Sequence, residues 1–148
     1  METINSENLE EVRKLADKKV KNKEKVVVLG RDIEFNRKIL EMKKVNILIL
    51  QHKIGRDKLK QRDSGLNEVL CEIAKKNNIT LAINFSEIIE SEGKERGKIL
   101  GRIIQNIKLI KKHKNNLKII NKPEDKQNLS ALFRVLGADT KLASEISS

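Results

Sequence analysis

Short apolar runs alternate along this chain with segments of helical periodicity, and that alternation restricts the fold more than any other feature. Four runs are predicted to be buried strands: Val26 to Leu29, Ile47 to Leu50, Ile79 to Phe85, and Leu117 to Ile120. Strands that alternate with helices pair in parallel through right-handed crossovers, and strands covered on both faces are apolar throughout. Four strands are too few for a complete eight-stranded barrel. We therefore predict an α/β fold, either a partial TIM-barrel-like sheet or an open parallel sheet of about four strands, with alternating helices.

The helices are predicted from apolar spacing and from capping residues. The predicted helices are an N-terminal one capped at Asn5 or Ser6 and running to about Val20, then Glu34 to Lys44, Ser64 to about Lys76, Lys94 to His113, Lys126 to Leu136, and Asp139 to Ile146. Asp63 or Ser64 is the expected cap of the third helix, and a linker containing Glu87 precedes the fourth. At 148 residues, the chain fits one α/β domain spanning residues 1–148.

Two features bear on location. No apolar run is long enough to span a membrane, and the acidic stretch from Met1 to Glu11 does not have the pattern of a signal peptide. Cys71 is the single cysteine, and a lone cysteine fits a reducing compartment. We expect a cytoplasmic protein with no membrane partner.

The positive charge is concentrated in two segments. The chain carries a net charge of +11, with a pI near 9.8. Residues 53–62 hold five basic side chains against Asp57, and residues 91–126 hold eleven against four acidic ones. These two excesses account for the whole net charge, and clustered positive charge favours a polyanion partner, most often nucleic acid.

The familiar catalytic signatures are absent from the sequence. It contains no phosphate-binding glycine loop, no dinucleotide-binding glycine motif and no nucleophile elbow. His52 follows the second predicted strand and could form an acid-base or metal site with Asp57, Asp63 and Asn84, but we favour a loop histidine beside the basic segment. His113 is expected to be solvated, and Cys71 to be a small buried hydrophobe. We predict no catalytic residue, no metal and no cofactor.

Any RNA contact is predicted to be made to phosphate and ribose. The chain has no Trp or Tyr, and its three Phe residues occupy apolar positions, so base stacking on aromatic side chains is disfavoured. Two places suit phosphate: the entry to the third helix, where free amides attract anions, and the basic long helix. An ordinary capped helix start and a solvated helix face are the respective alternatives. The candidate RNA-binding residues are Lys60, Arg62, Ser64, Gly65, Arg96, Arg102, Asn106, Lys108 and Lys112.

The segment from Gln61 to Leu70, which reads QRDSGLNEVL, and the strand sequence ITLAINF at 79–85 resemble the ribonuclease P protein component 3 family of archaea. The resemblance continues through Glu95 and Arg96 and the QNIKL stretch at 105–109, and covers roughly residues 26–147. The family often has His where this chain has Glu68, and its members are longer at the N-terminus. An N-terminally shortened member is therefore the expectation.

The resemblance implies a subunit of ribonuclease P, the ribonucleoprotein endonuclease that removes 5′ leaders from precursor tRNA. In that enzyme the RNA is catalytic, and component 3 pairs with protein component 2 to support it. The implied partners are thus ribonuclease P RNA, component 2, and precursor tRNA in the holoenzyme. A stand-alone RNA-binding α/β module and a metal-dependent hydrolase are the alternatives that the residues leave open.

Overall fold

A computed structural model describes residues 2–55, 57, 63–139 and 141–142. Its helices are α1 Leu9–Lys21, α2 Ile33–Leu40, α3 Glu68–Lys76, α4 Ser86–Ile89, α5 Gly93–His113 and α6 Lys126–Val135. Its strands are β1 Val27–Leu29, β2 Ile47–Leu50, β3 Thr80–Asn84 and β4 Leu117–Ile120. None of the helices described is long and apolar enough to cross a membrane.

The four strands form one parallel sheet in the order β1-β2-β3-β4, which confirms the predicted fold class. Each strand lies beside its successor, as in a (β/α) barrel, rather than changing direction as in a doubly wound sheet. Ile4 adds a single parallel bridge to Val28 on the outer edge of β1. The helices pack on one side of the sheet, as expected when crossovers of one hand join neighbouring strands.

The core has a large and a small part. The helix-facing side chains of the strands join the apolar faces of the helices in one extensive cluster, which includes all three Phe residues. The opposite face of the sheet forms a smaller cluster around Val27, Ile47, Ile49 and Ala82. All four residues of β2 are buried, and the strand lies inside the sheet between β1 and β3.

The start of α3 differs from the prediction. The helix begins at Glu68, and the side chain of Asn67 caps it by accepting a hydrogen bond from the Leu70 amide at 2.9 Å. Neither Asp63 nor Ser64 is the cap, because Gly65 has a φ of +74°, which is incompatible with a helix. The chain therefore makes a further turn before the helix starts.

Two other helices also depart from expectation. The cap of α1 is Asn8, not Asn5 or Ser6, and the expected linker at Glu87 contains α4. The predicted helix from Asp139 to Ile146 lies mostly outside the described residues.

Candidate nucleic-acid interface

Arg102 of α5 ties the base of the basic loop to the body of the protein. The loop begins after β2, and its described base consists of Gly55, Asp57 and Asp63. The Arg102 guanidinium donates to the carbonyls of His52 at 2.6 Å and Gly55 at 2.9 Å, and its Nε donates to Asp57 at 3.0 Å. The same Asp57 oxygen accepts the Asp63 amide at 2.9 Å. Arg102 is only 5% exposed, and its hydrogen bonds hold the two ends of the loop together.

We call these contacts of Arg102 with the loop the Arg102 clamp. Next to it lies a buried row of three polar side chains, His52, Glu87 and Asn106. The Asn106 amide nitrogen lies 2.9 Å from His52 Nε2 and donates to the Ser64 carbonyl at 3.0 Å. Because that nitrogen can only donate, Nε2 of the imidazole must accept, and we infer that Nδ1 carries the proton. Nδ1 lies 3.2 Å from Glu87 Oε1. The imidazole therefore bridges an amide and a carboxylate.

Glu87 also fixes the backbone at the end of β2. Its second oxygen accepts the amides of His52 and Lys53, each at 2.9 Å. Glu87 is the second residue of α4, just beyond the end of β3. Because the carboxyl ends of adjacent parallel strands lie at the same edge of the sheet, a residue after β3 can hold the turn after β2.

His52 lies in the loop after β2, as expected, but its side chain is fully buried, which the sequence did not indicate. Its metal-site alternative also finds no support: among the residues that the structure describes, no three His, Cys, Asp or Glu side chains are placed to hold a metal ion. Asp57 is engaged by Arg102, and Asn84 by Asn121 at 3.0 Å. His52 therefore has a supporting position in the fold.

Two of the predicted RNA-binding residues, Ser64 and Gly65, pack the returning end of the loop against the protein. Ser64 is 1% exposed, and its hydroxyl accepts from Gln105 at 3.1 Å. The Gly65 carbonyl accepts from the buried Asn36 side chain at 2.8 Å, and a Cβ at Gly65 would lie 3.1 Å from that amide nitrogen. That Ser64, Arg102 and Asn106 take part in RNA binding stays a prediction. Because all three side chains are buried, we expect them to support the RNA-binding surface rather than to contact RNA.

The other predicted residues on α5 are exposed. Arg96 donates to the Ile88 carbonyl at 3.1 Å, Lys112 pairs with Glu68, and Lys108 faces solvent. The Lys112 ammonium lowers the pKa of Glu68, and the carboxylate raises the pKa of Lys112 in turn. From Arg96 to Lys112 the helix rises about 24 Å. Lys60 and Arg62 lie outside the described residues.

His113 and Cys71 complete the list of singled-out residues. The His113 side chain is only 15% exposed and lies 3.7 Å from Glu68, so the expectation of a solvated histidine was wrong. Cys71 is fully buried, and burial raises the pKa of its thiol to about 12. This confirms the prediction of a small buried hydrophobe.

The loop after β2 and helix α5, which follows β3, are neighbours, as the contacts of Arg102 and Asn106 with the loop show. Together the fold and this junction define the class: a basic α/β protein built on consecutive parallel strands. Glu87 was not among the residues predicted from the sequence, although its position two residues after the third predicted strand, at the same edge of the sheet as the end of β2, was a usable signal.

Comparison with known proteins gives the family. No protein-family profile matches the chain. It is 34% identical over 111 residues to ribonuclease P protein component 3 of Methanococcus maripaludis, covering 74% of this chain and 45% of the relative. It is 28% identical over 134 residues to component 3 of Methanococcus vannielii, covering 90% and 55%.

A solved structure agrees with these relatives. A chain in the cryo-EM structure of archaeal ribonuclease P with mature tRNA matches with a TM-score of 0.76 and 25% identity, over 97% of this chain and 62% of that one. The chain therefore belongs to the ribonuclease P protein component 3 family, as its sequence motif predicted. It spans about half the length of the curated relatives it matches.

Proposed function

We propose that this chain is a protein subunit of ribonuclease P and supports the catalytic RNA in the endonucleolytic removal of 5′ leaders from precursor tRNA. The observation that carries the proposal is the 34% identity over 111 residues to component 3. In this proposal the chain is part of an endoribonuclease but supplies none of its catalytic groups. Its partners are ribonuclease P RNA, protein component 2 and, in the holoenzyme, precursor tRNA.

The geometry supports a role in binding RNA by charge and shape. The three Phe side chains are buried in the main core, so they offer no surface for base stacking. The Arg102 clamp keeps the ends of the basic loop beside α5, which brings the two charge-rich segments of the sequence next to each other. Contacts to phosphate position a folded RNA without reading its base sequence. Lys60, Arg62, Arg96, Lys108 and Lys112 are the proposed contacting residues.

The sheet edges support a protein partner. Among the described residues, the outer edge of β1 is met only by Ile4, and β4 pairs only with β3. Proteins usually cover or protect such edges, and component 2 is the proposed cover. We also propose a cytoplasmic location, because a lone buried thiol such as Cys71 fits a reducing compartment.

Filter binding tests the proposal. The chain, with component 2 present, is titrated against a ribonuclease P RNA transcript and against a ribosomal RNA fragment of equal length at the same salt concentration. A subunit of ribonuclease P is expected to prefer the first RNA. Equal affinity for both would refute the subunit role and favour a stand-alone RNA-binding module.

A further inference from the structure

A pocket of about 300 Å³ lies where the turn after β2 faces the first turns of α5. Lys53 and Gly55 line it from the turn, and Lys94, Lys98 and Arg102 line it from the helix. The three helix residues are spaced four apart, which places them along one face of α5. The pocket thus has cationic side chains on two opposing walls.

The charge in this pocket is largely uncompensated. Glu95 is the one carboxylate among the lining residues. Lys53, Lys94 and Lys98 are all exposed, and within the described part of the chain none of them forms an ion pair. Lysines that converge without acidic partners create a local positive potential that attracts an anion.

The pocket is also fixed in shape before any ligand binds. Arg102 hydrogen bonds to the Gly55 carbonyl and to the His52 carbonyl, and Glu87 holds the Lys53 amide. There is no room for a side chain at position 55, because a Cβ would overlap the Asp63 carbonyl and lie 3.2 Å from Arg102 Nε. Three of the five N–H groups of Arg102 are used in this way.

We propose that this pocket binds one phosphate group of an RNA backbone. The inference rests on the proposed function, and it adds Lys53, Lys94 and Lys98 to the RNA-contacting surface. Lysine ammonium groups bind phosphate as point charges and need no fixed orientation, and the volume is at the small end for a ligand pocket. Arg102, whose charge is paired with Asp57, positions the pocket wall, while the lysines make the contacts.

The test compares two double variants that remove the same charge. The first, Lys53→Ala with Lys98→Ala, removes one lysine from each of the two walls of the pocket. The second, Lys14→Ala with Lys38→Ala, removes two exposed lysines on α1 and α2, neither of which lines the pocket. Circular dichroism checks that both fold. Each is then titrated with inorganic phosphate, at ionic strength held constant with chloride, while amide NMR shifts are recorded.

The same proteins are titrated with ribonuclease P RNA and with the ribosomal fragment over a salt series. We expect phosphate to shift the Gly55 and Lys98 amides of the unmodified chain saturably, and to leave the Gly55 amide unmoved in the pocket variant. The slope of log affinity against log salt should fall by about 0.7 to 0.9 in the pocket variant, since the pocket holds one phosphate and each neutralised phosphate is worth about 0.7 to 0.9. The α1 and α2 variant should keep its slope.

Three results would overturn the inference. Saturable phosphate binding with an unchanged RNA slope would make this a pocket for a free anion. Equal slopes in the two double variants would mean that the lysines act only through net charge. No phosphate shift in the unmodified chain would remove the site altogether. Because the slopes are measured on both RNAs, loss of preference for ribonuclease P RNA is a separate outcome that refutes only the proposed function.

Discussion

From the contacts of the buried row of His52, Glu87 and Asn106, we predict that the substitution Glu87→Gln lowers the stability of the protein. An amide in place of the carboxylate has one oxygen and one NH₂ group. The oxygen can still accept the backbone amides of His52 and Lys53, but the NH₂ group then faces the proton on His52 Nδ1. Moving that proton to Nε2 does not help, because Nε2 faces the Asn106 NH₂ group, which the Ser64 carbonyl holds in place.

The cost follows from these contacts. Two backbone hydrogen bonds to a charged acceptor become neutral, a loss of about 1 kcal/mol each, and one buried donor is left unpaired at about 1–3 kcal/mol. Burying a neutral amide costs less desolvation free energy than burying a carboxylate, which offsets part of this loss of stability. We expect the free energy of unfolding to fall by about 2–3 kcal/mol. For a chain of this length that corresponds to a Tm lower by about 4–12 °C.

Urea unfolding followed by circular dichroism measures the change, and Glu90→Gln is the matched control. Glu90 is exposed three residues further along the chain, so the same chemical change there should alter stability by less than about 0.5 kcal/mol. The urea m-value should stay the same in both variants. If Glu87→Gln were as stable as Glu90→Gln, the inferred protonation of the row and its role in holding the turn after β2 would both be wrong.

Three further predictions concern chemistry and binding. The purified chain should not cleave precursor tRNA, because the described residues hold no metal cluster and His52 is buried; cleavage that disappears in His52→Ala would contradict this. The double variant Arg62→Ala with Lys108→Ala should bind RNA more weakly and flatten the salt slope by about one unit per lost contact, and filter binding that shows no change would mean that these side chains are only solvated surface. Iodoacetamide at pH 8 should leave Cys71 unmodified in the native chain, because a thiol with a pKa of about 12 stays protonated; mass spectrometry showing rapid modification would indicate that the core around it opens readily.

The sequence predicted the parallel sheet well because its strands are short, apolar and separated by helical spacing. Their local pattern is sufficient, as the wholly buried Ile47–Leu50 strand illustrates. The start of α3 was misplaced because Asp63 and Ser64 are good capping residues, while the tertiary contact between Gly65 and Asn36 decides the backbone there. Local propensity carries no information about a partner 29 residues away.

The site was predictable in part. The two basic segments were located from charge alone, and the topology of the sheet brings them together. Which basic residue becomes buried was not evident, because Arg102 in isolation has the same character as Lys98. A usable sign was that Arg102 and Asn106 are four apart, beside the buried stripe of Ile99, Ile103 and Ile107. The pairing of His52 with Glu87 depends on the order of the strands, which the sequence suggests but does not fix.

The subunit role is tested most directly by affinity purification of the tagged chain from its native host, followed by sequencing of the RNA that copurifies. The account predicts that ribonuclease P RNA is the most enriched species and that component 2 is present in the same fractions. Enrichment of ribosomal RNA, or of no particular RNA above a tag-only control, would contradict it.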